Sequence, residues 1–363
     1  MRRDPRAPAC HAGTVSRVSV QRDPAADLRR IAFLLERALE PTYRVRAFRT
    51  AAGVVDGLSA DELAARARAG TLEELAGIGK VTSLCITESL RGEEPVYLRR
   101  LEATEDVPLD TATAALRVAL RGDCHMHSDW SDGGSPIREM AETARAMGHE
   151  YVVLTDHSPR LTVANGLTAD RLERQLDVVA ELNQELEPFR ILTGIEVDIL
   201  EDGTLDQKPS LLARLDLVVA SVHSKLRMPA NEMTPRMVAA ISNPHMDILG
   251  HCTGRMRRGA RGNRPESEFD ADVVFAACAH FGVAVEVNSR PERLDPPKRL
   301  LRLAVEAGCL TSIDTDAHAP GQLDWLRNGC ERAARCAVPA ETVVNSWPAE
   351  QLLAWTGDHS SRP

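Results

Sequence analysis

Ionisable residues recur at the ends of short apolar runs. ALRGDCHMH closes on His125 and His127, YVVLTDH on Asp156 and His157, and ILTGIEVD on Glu196 and Asp198. LDLVVASVH closes on His223, MDILGH on His251, and LTSIDTDAH on Asp316 and His318. Any one of these is ordinarily a hydrogen-bonded structural group. Packing gives no reason for ionisable groups at the same end of nearly every run. Imidazoles suit Zn, Mn and Fe, and carboxylates can bridge two ions. His125 and His127 are two residues apart on a strand end, so they face the same way and can reach one ion. Neighbouring ions acidify a shared water and clamp the oxygens of a phosphate. The pattern predicts two to three divalent transition-metal ions (Zn, Mn or Fe) and hydrolytic chemistry at phosphorus.

The runs must be brought together for this to work. Seven of them occur, the remaining one being VAVEVNS, which closes on Asn288 and Ser289 with Arg290 just beyond. Helical patterns lie between them at Ile137–Met147, Ala169–Leu186, Asp270–Phe281 and Lys298–Ala307. Strands apolar along their length, alternating with helices, indicate a parallel sheet covered by helices, an α/β fold. Seven units over about 240 residues suggest a closed βα barrel one unit short of the eight-fold form, whose strand C-termini share one face. An open doubly wound sheet is the alternative.

Before residue 116 the pattern is helical. Leu28, Ile31, Leu34, Leu35, Ala38 and Leu39 fall on one face, Pro24 and Asp27 mark a helix start, and no strand-like alternation appears. A second stretch carries Tyr43 to Val55, a third runs from Asp61 to about Arg68, and a fourth begins at Gly70–Thr71. The 363 residues therefore divide into an arm at 1–24 expected to be flexible, an all-helical domain at 25–105, the barrel at 116–345 and a tail at 346–363. The formal net charge of -9 is unevenly spread: the arm holds five Arg against two Asp, residues 25–105 are nearly neutral, and the barrel region is acidic. That is not the composition of a protein that coats nucleic acid. No apolar run suits a membrane span, the Arg- and Pro-rich start lacks a secretory apolar region, and the eight Cys are scattered, so a reduced cytoplasm is expected.

The segments GDCHMHSDWSDG, VVLTDHS, GIEVDI, SVHSK, DILGHCTGR and DTDAH resemble, in order, the motifs of the PHP (polymerase and histidinol phosphatase) family. The resemblance covers roughly residues 118–345. It implies a distorted seven-stranded barrel with three ions. His125, His127, Glu196 and Asp316 would hold one, and Glu196 would bridge to a second on His223 and His251. Asp132, His157 and His318 would hold the third. Glu196 and Asp316 would then be the central catalytic carboxylates. Cys252 stands where the family often has Pro, which could bring a thiol near the site.

Ile31–Leu39, YRVRAFRTAA and LEELAGIGK resemble the N-terminal helical domain of bacterial family X DNA polymerases, in which a PHP domain lies at the C-terminus. LAGIGK resembles a helix-hairpin-helix turn, so Gly77, Gly79 and Lys80 would contact a DNA phosphate. Those polymerases place palm, fingers and thumb between the two parts. Here Glu105 runs almost directly into the barrel, so no polymerase core fits.

Other residues offer possible binding or structural roles. GRMRRGARGNR follows His251 and carries Arg255, Arg257, Arg258, Arg261 and Arg264, either a solvated loop or an anion clamp. Arg44, Arg46 and Arg49 could add a second phosphate contact or simply cover a helix surface. His149, His245 and His280 read as structural or surface residues. Ser128 and Ser158 sit beside ligands but lack a base and its orienter, which argues against serine nucleophilic chemistry. The expected function is hydrolysis at DNA ends by a metal-bound hydroxide, as a 3′–5′ exonuclease or 3′-end phosphatase in DNA repair. A small-molecule phosphatase of the histidinol-phosphate type and a non-catalytic DNA-binding module are the alternatives. No membrane partner is expected.

Overall fold

The computed structural model describes residues 22–104, 108–257 and 262–357. They divide into two compact units, one containing residues 22–34 and 41–104, the other 35–40, 108–257 and 262–357. Apart from residues 22–24, the arm lies outside the described residues, as do Arg258 and Arg261.

The first unit is helical, as its periodicity requires. It comprises α1 (Pro24–Arg37, whose last residues group with the second unit), α2 (Thr42–Asp56), α3 (Ala60–Ala69), α4 (Lys80–Leu90) and α5 (Val96–Glu102). Leu28, Ile31 and Leu34 are buried, as are Phe48, Ala51, Ala52 and Val55 of α2. Ser59 caps α3 by accepting from the Glu62 N–H, and Gly70 ends it in the left-handed conformation. The fourth stretch is not one helix. A 3-10 turn at Leu72–Glu74 leads to Gly77 at φ 95°, and α4 starts afresh after Gly79. A Cβ on Gly77 would lie 2.7 Å from the Thr50 side chain, so glycine is required there both by conformation and by space.

The second unit begins with α6 (Thr111–Ala119), capped by the Asp110 carboxylate, which accepts from the Thr113 N–H and hydroxyl. The first strand is shorter than the run ALRGDCHMH: Ala119 still belongs to α6, and the strand starts at Gly122. The strands are β1 (Gly122–Met126), β2 (Tyr151–Leu154), β3 (Arg190–Asp198), β4 (Leu217–Ser221), β5 (Ile248–Leu249), β6 (Ala284–Asn288) and β7 (Thr311–Asp314). They run parallel in sequence order. Between them lie α7 (Ile137–Ala146), α8 (Ala169–Leu186), the single turn α9 (Pro209–Leu212), α10 (Ala230–Ile241), α11 (Ala271–Phe281) and α12 (Lys298–Glu306), with α13 (Leu326–Arg335) after β7. Met126 bridges Ala317, and the Asp316 N–H donates to the His125 carbonyl, so β7 returns to β1. The sheet is a nearly closed barrel, and the open-sheet alternative falls.

The segment expected as a tail, 346–363, contains a helix. Residues 349–357 form α14, and Leu352 is fully buried with Val344 and with Tyr151, Leu217 and Ala284, the first residues of β2, β4 and β6. The Asn345 amide donates to the Gly122 and Ile313 carbonyls, and Tyr151 Oη donates to the Trp347 carbonyl. Apolar spacing too short to read as a helix on its own plugs the N-terminal end of the barrel. Among the described residues, no helix is long and apolar enough to cross a membrane.

Candidate metal centre

The opposite end of the barrel gathers the ionisable strand termini. Most of the donors stand at or just beyond the C-terminal ends of strands, which a parallel barrel brings to one shared mouth. Glu196, 1% exposed, is the centre. Its Oε1 lies 2.9 Å from His251 Nε2 and 3.3 Å from His223 Nε2. Its Oε2 lies 2.9 Å from His157 Nδ1, 3.4 Å from His125 Nε2 and 3.6 Å from His127 Nε2. His127 Nε2 is 3.5 Å from Asp316 Oδ1. Asp132 Oδ1 lies 3.5 Å from His157 Nε2 and 3.3 Å from His318 Nε2. All nine residues expected to hold metal are thus one continuous cluster. Asp316 is at φ 54°, a strained backbone for a side chain, held there by its N–H bond to His125.

The cluster fits metal ions. His125 Nε2, His127 Nε2, His157 Nδ1, His223 Nε2 and both Glu196 oxygens are buried and have no hydrogen-bond partner among the described residues. Buried polar atoms left so are costly, and converging lone pairs are what divalent cations require. Three groups have donor atoms within 4.8 Å of one another: His127, Asp132, His157 and His318; His125, His127 and Asp316; and His157, Glu196 and His223. His127 and His157 each belong to two groups, so the donors are shared more widely than one set per ion.

Electrostatics couple the groups of the cluster. Burial and the neighbouring His318 and His157 rings push His127 down to about 3. Burial opposes charge on His223, but Glu196 and Asp198 raise it to about 9. Burial would raise Glu196, yet His223, His125 and His157 hold it well below the usual carboxylate range.

A second set of carboxylates holds the rings. Asp198 Oδ1 is 2.6 Å from His223 Nδ1, and Glu286 Oε1 is 2.6 Å from His125 Nδ1. Carboxylates accept, so both Nδ1 atoms donate and both Nε2 lone pairs face inward. Glu286 also accepts from the His251 N–H at 2.5 Å. It escaped sequence reading because it sits inside the apolar β6 run rather than at its end. Asp156, expected at the mouth, instead accepts from the Ser128 and Ser131 hydroxyls and from Gln175. Ser158 donates to Asp206, which leaves neither serine poised as a nucleophile. The Cys252 thiol turns toward Asp295, 4.0 Å away, and burial raises it well above the usual thiol value. It is no metal ligand here.

The described arginines of the loop after His251 differ in their surroundings. Arg255 donates to the Arg293 carbonyl at 3.1 Å, to the Leu294 carbonyl, and to Glu266 at 3.3 Å. Its fork is spent within the protein rather than free for substrate. Arg264 likewise donates to the Gly254 carbonyl. Arg257 is exposed. Arg293 went unnoticed in the sequence and lies 3.1 Å from Asp316 through its Nε. In the helical unit, Gly79 N–H is taken by Thr82 Oγ1, and Lys80 is exposed in the first turn of α4.

Residues 123–290 match the family model of the PHP domain. The chain is 43% identical over 236 residues to the DNA polymerase/3′-5′ exonuclease PolX of Bacillus subtilis (strain 168), a match spanning 65% of this chain and 41% of that protein. It is 27% identical over 235 residues to a probable phosphatase of Thermoanaerobacter sp. (strain X514), spanning 62% of this chain and 89% of that one. A solved histidinol phosphate phosphatase from Lactococcus lactis, complexed with zinc, L-histidinol and phosphate, is similar at 19% identity and a TM-score of 0.44, covering 59% of this chain and 92% of that one. The class of chemistry that goes with the PHP domain and its donors is metal-dependent hydrolysis of phosphoesters.

Proposed function

We propose that this chain hydrolyses phosphoesters at DNA ends, as a 3′–5′ exonuclease or 3′-end phosphatase. The observation that carries the hydrolase reading is Glu196, whose two oxygens face five imidazoles in one buried cluster. His125, His127, Glu196 and Asp316 would hold one ion, Glu196, His223 and His251 a second, and Asp132, His157 and His318 a third. Two to three divalent ions there would polarise the phosphate and acidify a water. Glu196 and Asp316 supply the negative charge that balances them. Asp198 and Glu286 fix the imidazole tautomers, and the barrel wall keeps most donors from solvent.

DNA as substrate is supported by the Bacillus relative and by the helical unit. Gly77, Gly79 and Lys80 offer a tight turn and a free cation at the start of α4, a geometry suited to a backbone phosphate. A second reading, hydrolysis of a small phosphomonoester, is favoured by the Thermoanaerobacter relative, of which the match covers 89%.

A substrate panel tests both. Metal-loaded protein is given single-stranded DNA, duplex ends, 3′-phosphate DNA and histidinol phosphate. Turnover of the DNA substrates, with binding that weakens steeply as salt rises, is expected. Turnover of histidinol phosphate alone would replace the DNA reading by the second one. Full activity after exhaustive chelation would overturn both.

A further inference from the structure

Two arginines lie where a cation-binding centre should repel them. Arg293 Nε is 3.1 Å from Asp316 Oδ2, its side chain is only 14% exposed, and its Nη1 is buried with no hydrogen-bond partner among the described residues. Arg290 Nη1 lies 3.4 Å from His318 Nδ1 and 3.9 Å from Asp316 Oδ1. Arg290 is steadied by Glu292 at 3.0 Å and by the Trp325 ring, 5.8 Å from its guanidinium carbon.

Arg293 is held there by the backbone. Its N–H and that of Leu294 both donate to the Arg290 carbonyl, and Leu294 takes φ 48°, an unfavourable conformation for a branched side chain. Arg255 fastens the same turn by donating to the Arg293 and Leu294 carbonyls. Three arginines thus act together: one ties the loop, and two face the metal centre.

A guanidinium beside Asp316 is balanced while that carboxylate serves it alone. Once Asp316 also serves a cation, the local sum turns positive, and a buried positive excess calls for an anion. A planar fork with an unused N–H matches phosphate oxygens. We propose that Arg293, flanked by Arg290, grips the non-bridging oxygens of the substrate phosphate from the Asp316 side of the metal centre. The proposal rests on the phosphoesterase reading given above.

The test is calorimetric titration of inorganic phosphate into the metal-loaded full chain, compared with Arg293→Ala and Arg293→Lys, with metal content measured on each. Arg293→Ala should keep its metal and bind phosphate about tenfold or more weakly, the worth of one charge-assisted bond. Added guanidinium ion should restore part of that affinity. Wild-type affinity in Arg293→Ala, or metal loss without guanidinium rescue, would overturn the clamp; the second would make Arg293 a positioner of Asp316. If Arg293→Ala does not fold, Arg293→Lys decides: several-fold weaker binding supports the fork, and unchanged affinity overturns it. The two readings fail separately. Arg293-dependent phosphate binding with no ester turned over leaves the clamp and removes the esterase. Ester turnover with Arg293-independent phosphate binding does the reverse. Absence of phosphate binding by the wild-type protein overturns the clamp.

Discussion

His223 is held between two carboxylates, with Asp198 Oδ1 at 2.6 Å from its Nδ1 fixing the ring so that Nε2 faces Glu196. Asp198→Asn keeps the shape and removes the charge. Because outer partners of ligating histidines are worth roughly 10–100-fold in metal affinity, a loss in that range is expected. Competition against a chromogenic chelator measures it, and an unchanged circular dichroism spectrum shows that the fold survives. Glu286→Gln should act alike through His125.

Glu196→Gln goes to the centre. The amide keeps the volume but removes the charge shared by both halves of the cluster. The activity loss should exceed the roughly 10–100-fold expected for an outer partner. Elemental analysis should show fewer ions per chain than in the wild type. Full metal content would mean that Glu196 bridges nothing.

Leu352→Ala asks whether α14 belongs to the barrel. Leu352 is fully buried. Truncating such a leucine costs about 2–5 kcal/mol, visible as a lower urea midpoint. An unshifted midpoint would return residues 346–357 to the status of a tail.

His149 provides a pH test away from the metals. It is 5% exposed, neither ring nitrogen has a hydrogen-bond partner among the described residues, and burial lowers it from 6.5 to about 4. Its folded-state value is depressed, so its contribution is complete above the unfolded value and is lost as pH falls from about 6.5 toward 4. The linked loss is at most roughly 3 kcal/mol. His149→Gln should flatten that limb in urea titrations made at several pH values. Parallel acid limbs for the two proteins would show that the imidazole is not responsible.

The strands and the nine clustered donors were legible because two physical signals coincide. A parallel strand covered on both faces must be apolar throughout, and the polar residue that ends it marks the barrel mouth. Glu286 was not legible, since a charge within an apolar run looks like a flaw until His125 is seen beside it. Arg255 stood out in the sequence and Arg293 did not. Both are arginines in polar loops, and only the fold shows that one meets carbonyls while the other meets Asp316. α14 was hidden because its buried face is short and its partner, the start of β2, is distant in sequence.

The bond from Asp316 N–H to the His125 carbonyl joins the last strand to the first, and the side chains of those two residues belong to the metal cluster. The seam of the barrel and its reactive centre are therefore one place. An ion seated there would act as a clasp across the seam, drawing part of the barrel's mechanical integrity from its cofactor. A chelated sample should fray along this line first. Amide hydrogen exchange would then quicken in Gly122–Met126 and Thr311–Asp314, while the interior pairing of Arg190–Asp198 with Leu217–Ser221 stays protected.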